Sequence, residues 1–344
     1  MYYTNDKVTI RFEHGMEVSR PWLAEDRDRA QRILAKHKNE KAMCLCTPAG
    51  VPLHVVNRLA AYHLATMPGR GHHHALSCVS YLPDEETSGL RHYGRDALCF
   101  ASGIHRLSIQ PTPPVSAPFT HFSPSAALQY LWNFAGLNVC TPKTVQARKY
   151  VAVARSLEES CSLVHFNGRA GRPYIPIAVQ EPGRCQHVIG QIRRINHAKY
   201  DNGISLSADR VNTFWVDRNQ WDGSVLSEVF GNFEEPRKVR NVWLFANLWH
   251  SPKGNLKLFD VGLLPVTNHF LPAISGTKDL ISSLIHDQRR FYVCLPYDAG
   301  DDDTVPAAVL IDTESPKNLY LPSRLVHSHK SITASVDSTK QVRV

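Results

Sequence analysis

The spacing of apolar residues along the chain sorts it into a mixed front, a helical middle and a strand-rich back. Residues 19–38 predict a helix. Ser19 stands as its cap and Pro21 in its first turn, and Trp22, Leu23, Ala30, Ile33 and Leu34 share one face. Residues 51–65 predict a strand followed by a second strand or a short helix, since the period fits both. Residues 66–90 are rich in Pro, Gly, Ser and His and predict loop, and 98–110 predict a strand. The proline-rich connector 111–124 marks a boundary. Beyond it, Leu128, Leu131, Trp132 and Ala135 recur with helical spacing after a cap at Ser123 or Ser125, and 141–161 predict a second helix.

From residue 174 onward alternating and continuous apolar runs predict strands at 174–179, 187–196, 203–207, 212–217, 241–250 and 256–267. Leu280, Ile281, Leu284 and Ile285 form the stripe of a helix over 277–290, and strands follow at 291–297, 306–312 and near 319–321. The last stretch, 327–344, has few apolar residues and predicts disorder. The fold class is therefore α+β in four parts: an N-terminal module over 1–110, a helical segment over 111–165, a β-rich domain over 166–326 and the tail.

Composition changes this picture in three ways. First, no run of 18 apolar residues exists and the first fifteen residues are polar, which argues against a membrane span or a secretory signal. Second, after Cys44, Cys46 and Cys78 the remaining cysteines are scattered singly, which argues against a disulfide framework and for the reducing cytoplasm. Third, the formal charge of +8 is uneven. Residues 1–110 carry +3, 111–240 carry +5 and 241–344 none, so the middle favours an anionic partner.

The cysteine-histidine segment at 44–78 carries the clearest chemistry. Zinc takes four thiol or imidazole ligands in a tetrahedron. Cys44 and Cys46 offer two thiols on one short turn, Cys78 a third, and His74 an imidazole four residues before it. His72 and His73 compete for that fourth place, and Gly69 and Gly71 permit a tight turn. Four filled positions would make the zinc structural rather than catalytic. The competing reading puts Cys44 and Cys46 on opposite faces of a strand with no metal.

Arg169, Arg172, Arg193, Arg194 and Lys199 cluster within about thirty residues, next to Phe166 and Tyr174. Basic groups interleaved with aromatics suit a phosphate backbone and stacked bases. The stretch 191–206 predicts a β-hairpin that presents them, and a solvated sheet face is the competing reading. No Walker-type phosphate loop, G-x-S-x-G elbow or H-E-x-x-H helix occurs.

Cys44-x-Cys46, the run "YHLATMPGRGHHHALSC" and the later "ALQYLWNFAGLN" resemble a bacterial family catalogued as domain of unknown function 1173, found mainly on plasmids and integrative elements. The resemblance implies Cys44, Cys46, His74 and Cys78 as the matching cysteines and histidine, and it implies no established activity. The order of helix and strands after residue 277 is also that of restriction-endonuclease-like folds. Ala307 stands where their first acid belongs, and Leu319, Tyr320 and Leu321 replace the acid-x-Lys, so only Asp312 is left. The expectation is thus a degenerate nuclease-like sheet and a non-catalytic, zinc-containing nucleic-acid-binding protein. The alternatives are a metal-dependent nuclease with other acids, or a protein–protein adaptor in plasmid transfer or maintenance. The oligomeric state stays open.

Overall fold

The computed structural model describes residues 8–19, 26–58, 61–67, 70–76, 78, 80–101, 104–145, 148–170, 172–173, 185–197, 201–207, 213–222, 224–230, 237–250, 255–274, 276–299, 305–321, 335–336 and 341–343. They form a mixed α+β structure with several sheets. No helix among them is long and apolar enough to cross a membrane.

The first sheet is antiparallel, in the order β2-β1-β3-β4-β5. Its strands are β1 (Thr9–Phe12), β2 (Glu17–Ser19), β3 (Ala42–Cys44), β4 (Val51–Arg58) and β5 (Ala61–Thr66). The ambiguous period at 51–65 therefore resolves as a hairpin. Of the helix predicted over 19–38, the described residues show Arg27–Lys36. Ser19 instead pairs with Thr9 across β1 and β2. The cap is Asp26, whose carboxylate accepts the Arg29 N–H at 3.0 Å. Pro21, Trp22 and Leu23 lie outside the described residues. Gln31 fastens this helix to the sheet edge, donating to the Tyr62 carbonyl at 2.8 Å and accepting the Tyr62 N–H at 2.6 Å.

The next strands are β6 (Leu98–Ala101), β7 (Ile104–Leu107), β8 (Val139–Cys140), β9 (Val164–Phe166) and β10 (Arg169–Ala170). The order β10-β9-β7-β6 forms a small sheet. The single strand predicted over 98–110 is thus a hairpin, β6 against β7. The helix Pro124–Phe134 starts at Ser123, whose hydroxyl accepts the Ala126 N–H at 3.2 Å. Its Leu128, Leu131 and Trp132 are fully buried, as their spacing predicts. The second predicted helix is two, Pro142–Val145 and Tyr150–Cys161. Lys149 is extended at the start of the second, and the Arg148 guanidinium donates to the carbonyls of Leu137 (2.8 Å) and Val139 (2.5 Å) at the break.

Residues 172–265 contribute β11 (Arg172–Pro173), β12 (Cys185–His197), β13 (Asp201–Leu206), β14 (Phe214–Asp217), β15 (Arg237–Lys238), β16 (Val242–His250) and β17 (Leu256–Pro265). The strand predicted at 174–179 lies outside the described residues. Five of these strands close a ring. The second half of β12 pairs with β13, β13 with β14, β14 in parallel with β17, β17 with β16, and β16 with the first half of β12. Short helices Arg218–Trp221 and Val225–Phe230 lie between β14 and β15 in the chain. The ring encloses its own core of Ile192, Ile204, Leu206, Phe214, Leu244 and Leu258. Residues 242–246 of β16 read as an unbroken apolar run because both faces are buried there. Leu244 and Leu248 fill the ring, whereas Trp243 and Phe245 join the core around Trp132, with the Trp132 and Trp243 rings edge-to-face at 5.3 Å.

The last sheet runs β21-β22-β20-β19-β18-β8. It adds β18 (Phe291–Val293), β19 (Ala308–Leu310), β20 (Lys317–Tyr320), β21 (Ser335–Val336) and β22 (Gln341–Arg343). The helix Thr277–His286 buries Leu280, Ile281 and Leu284 against it. Where composition predicts a disordered tail, residues 335–336 and 341–343 extend this sheet. There β22 pairs in parallel with β20 and antiparallel with β21.

Candidate metal centre

Two turns meet at one end of the first sheet. Cys44 closes β3, and Cys46 sits two residues on, in the turn to β4. The Leu45 N–H donates to the Thr9 carbonyl at 2.9 Å and fixes the start of that turn. The second turn follows the short 3₁₀ segment Gly71–His73, where the His74 N–H donates to the Gly71 carbonyl at 3.3 Å and the Cys78 N–H to the Ala75 carbonyl at 2.8 Å.

The side chains converge. Cys44 Sγ lies 3.7 Å from Cys78 Sγ, Cys46 Sγ 3.3 Å from His74 Nδ1, and Cys78 Sγ 3.6 Å from His74 Nδ1. All four ligand atoms lie within 4.8 Å of one another, so the group could hold a metal ion. A tetrahedron with metal–sulfur bonds of about 2.3 Å and a metal–nitrogen bond of about 2.05 Å has S···S edges of about 3.8 Å and S···N edges of about 3.6 Å. The three spacings above match those edges within a few tenths of an ångström. The Cys44 and Cys78 sulfurs stand too far apart for a disulfide, which needs about 2.05 Å, and all three cysteines are free thiols. Cys44, His74 and Cys78 are buried and Cys46 is half-buried.

The neighbouring backbone is arranged for thiolates. The Ala75 N–H donates to Cys46 Sγ and the Ser80 N–H to Cys78 Sγ, each at 3.4 Å. The Cys78 thiol is pulled down to about 4, first by its hydrogen bond with Cys44 and then by His74 and the Ser80 amide, against the opposing effect of burial. The Cys44 thiol is pushed up, first by the same hydrogen bond and then by burial, and burial pushes Cys46 up. His74 Nε2 is buried with no hydrogen-bond partner among the described residues. The His72 and His73 rings lie against each other at a tilt, with centroids 4.2 Å apart, and stay outside the cluster, and His72 Nε2 lies 3.8 Å from Asp84.

A residue far along the chain braces this centre. The Arg290 guanidinium donates to the Leu76 carbonyl at 2.5 Å and the Cys78 carbonyl at 2.9 Å. Its own N–H donates to Asp312, which also accepts both arms of Arg289 at 2.8 Å. Nothing in the local sequence points to Arg290, because its partners are backbone carbonyls of another module. Arg290→Met should keep the metal ligands intact yet cost on the order of 2–4 kcal/mol, for two lost charge-assisted bonds. Urea unfolding beside metal content measures this, and an unchanged midpoint contradicts the bracing role.

The family described as "Protein of unknown function (DUF1173)" matches residues 17–109 and 177–341, most of the chain. The chain belongs to that family. No curated protein matches it. The matched residues of DUF1173 include all four residues of the cluster, whereas the stretch at 127–138 lies outside the match.

The described basic residues singled out in this DUF1173 chain stand at several places on its sheets. Arg169 is exposed in β10, opposite Phe166. Arg172 lies in β11 opposite Val188, and Arg194 stands six residues further along β12, roughly 20 Å away at strand rise. Arg193 and Arg194 are exposed side by side at a bulge in β12, and Lys199 lies outside the described residues. At the nuclease-like positions, Ala307 and Leu319 are buried, and Asp312 is held in its ion pair with Arg289. The order of the last sheet gives a restriction-endonuclease likeness no support.

Proposed function

We propose that this chain is a zinc-containing protein that binds nucleic acid and whose metal centre is structural. Three thiols and one imidazole suit Zn2+ better than the oxygen-seeking cations. With all four positions supplied by side chains, a bound zinc has no place for water or substrate. It would instead tie the turn after β3 to the turn at 74–78, and Arg290 would carry that brace to the last sheet.

One observation carries the nucleic-acid reading. Arg193 and Arg194 in β12, Lys238 in the paired β15 and Arg240 just beyond it are exposed, and the Val239 N–H between the last two donates to the Arg193 carbonyl at 2.8 Å. No ion pair joins any of them to a carboxylate among the described residues. Cations held apart from carboxylates keep their charge for an external polyanion.

The test is a fluorescence-anisotropy titration of the full chain against labelled single- and double-stranded DNA and RNA at several salt concentrations. Binding that weakens steeply with salt is expected. Replacing Arg193 and Arg194 with Glu should reduce the salt slope by about two, one for each phosphate contact. Absence of salt-dependent binding to every one of these probes overturns the reading.

A further inference from the structure

We infer that the ligand of the closed barrel is a single strand of nucleic acid, lying across the outer face of β12, β13 and β14 with a base stacked on Trp215. This rests on the nucleic-acid reading above and assigns it a site.

The first argument is topological. Numbered within the ring, β12, β13, β14, β16 and β17 are strands one to five. Strand one pairs with two and four, three runs parallel to five, and five pairs with four. Helical turns lie between strands three and four in the chain. The first strand is long enough to serve both sides of the ring. This is the Greek-key connectivity of the oligonucleotide/oligosaccharide-binding barrel, whose ligands cross strands two and three. Connectivity alone does not give a function, so the face itself has to carry the chemistry.

Outside the neighbouring core, this face holds Trp215 and Asp217 half-buried beside the buried Gly203 and Ser205. Barrel residues that enter the neighbouring core come from β12, β16 and β17, and none comes from β13 or β14. With Ile204, Leu206, Phe214 and Val216 pointing into the ring, the alternation turns Gly203, Ser205, Trp215 and Asp217 outward. The ladder lines up Asn196, Gly203, Trp215 and Lys257 in one row across four strands. Gly203 is the floor of that row. A Cβ there would meet the Thr213 methyl at 2.6 Å and the Trp215 ring at 3.3 Å. Without a side chain at 203, the half-buried indole lies over the neighbouring strand.

The charges on either side of the indole fit a nucleotide strand. Arg194, opposite Ser205 on the next row, and Arg193 beside it are exposed cations suited to phosphates. On the far row stand Asp201 and Asp217, opposite each other, with Asp217 bonded to Lys257 at 2.7 Å. A phosphate placed there meets like charge, whereas a base meets acceptors for its exocyclic amine. Aromatic stacking requires an unpaired base, which selects single strands over duplex.

The experiment compares a labelled single strand of about 20 nucleotides, made of adenine and cytosine so that each base carries an exocyclic amine, with a duplex of the same length, at one moderate salt concentration, using the full chain. The single strand should bind at least about tenfold more tightly. Trp215→Ala should weaken single-strand binding by about fivefold to a hundredfold, and Trp215→Phe should retain most of it. Arg194→Glu should weaken it as well, and Lys278→Glu, on the exposed side of a distant helix, should not. If Trp215→Ala does not fold, the Phe and Arg194 variants decide the matter. Equal binding of duplex, or single-strand binding indifferent to Trp215 and Arg194, overturns this inference and leaves the nucleic-acid reading standing. No binding to either probe overturns both.

Discussion

Cys78→Ser should abolish metal binding and lower the melting temperature of the chain sharply. Cys78 Sγ is within 3.7 Å of Cys44 Sγ and 3.6 Å of His74 Nδ1, and it also accepts the Ser80 N–H. Serine keeps the volume but gives up the soft donor. Cys44 and Cys78 are both members of the buried core of the first sheet, along with Ile10, Phe12 and Leu53. Losing the ion therefore leaves unsatisfied ligands inside a core rather than on a surface. The expected cost is on the order of 4 kcal/mol, the range reached when a structural metal is lost. A strong chelator should reproduce the effect in the unaltered protein. Acid should do so too, because the ion must displace the protons of Cys44 and Cys46, whose thiols stand above their ordinary range. Metal affinity should thus rise with pH, with proton release on binding measurable by calorimetry in buffers of different ionisation enthalpy. A mutant that melts like the parent protein contradicts the structural role.

Gly262→Ala should be the most damaging single-methyl addition between the barrel and the helix Pro124–Phe134. A Cβ on Gly262 would stand 2.2 Å from both Pro124 C and Ser125 N, and 2.6 Å from Pro124 O. These are backbone atoms at the first turn of a buried helix, so no rotamer change relieves the overlap. The same junction is latched by the Leu263 N–H, which donates to Ser125 Oγ at 3.1 Å. The helix must move off β17 and disturb the core that Trp132, Trp243 and Phe245 share. The expected loss is about 3 kcal/mol or more, at the upper end for overpacking. Gly203→Ala, which meets side-chain atoms instead of backbone, should cost less. Equal urea midpoints for Gly262→Ala and the parent protein would show that the junction is loose.

Local periodicity made the elements legible wherever one face of a segment is buried. The stripes of Leu128, Leu131 and Trp132, and of Leu280, Ile281 and Leu284, face cores in the structure. Periodicity failed where pairing overrode a plausible local signal. Ser19 is a good cap by residue type, yet its backbone is committed to β1 and Asp26 caps the helix instead. The cysteine and histidine spacing brought Cys44, Cys46 and Cys78 into view, but three adjacent histidines look alike in sequence. Only the turn at 74–78 aims His74 Nδ1 at the sulfurs. Closure of the barrel was not legible, because it depends on the parallel contact of Trp215 with Lys257 and on β12 serving two partners. The basic run from 169 to 199 looked continuous because a sequence hides the rise of a strand, which carries Arg172 far from Arg194.

The most direct test is the metal content of the full 344-residue chain, purified without a histidine tag, measured by inductively coupled plasma mass spectrometry beside Cys46→Ser. The account predicts about one zinc per chain, lost in the mutant together with thermal stability. Metal-free protein that folds stably and melts unchanged in the presence of a chelator would contradict it, and would make Cys44, Cys46, His74 and Cys78 an ordinary buried cluster of thiols and imidazole.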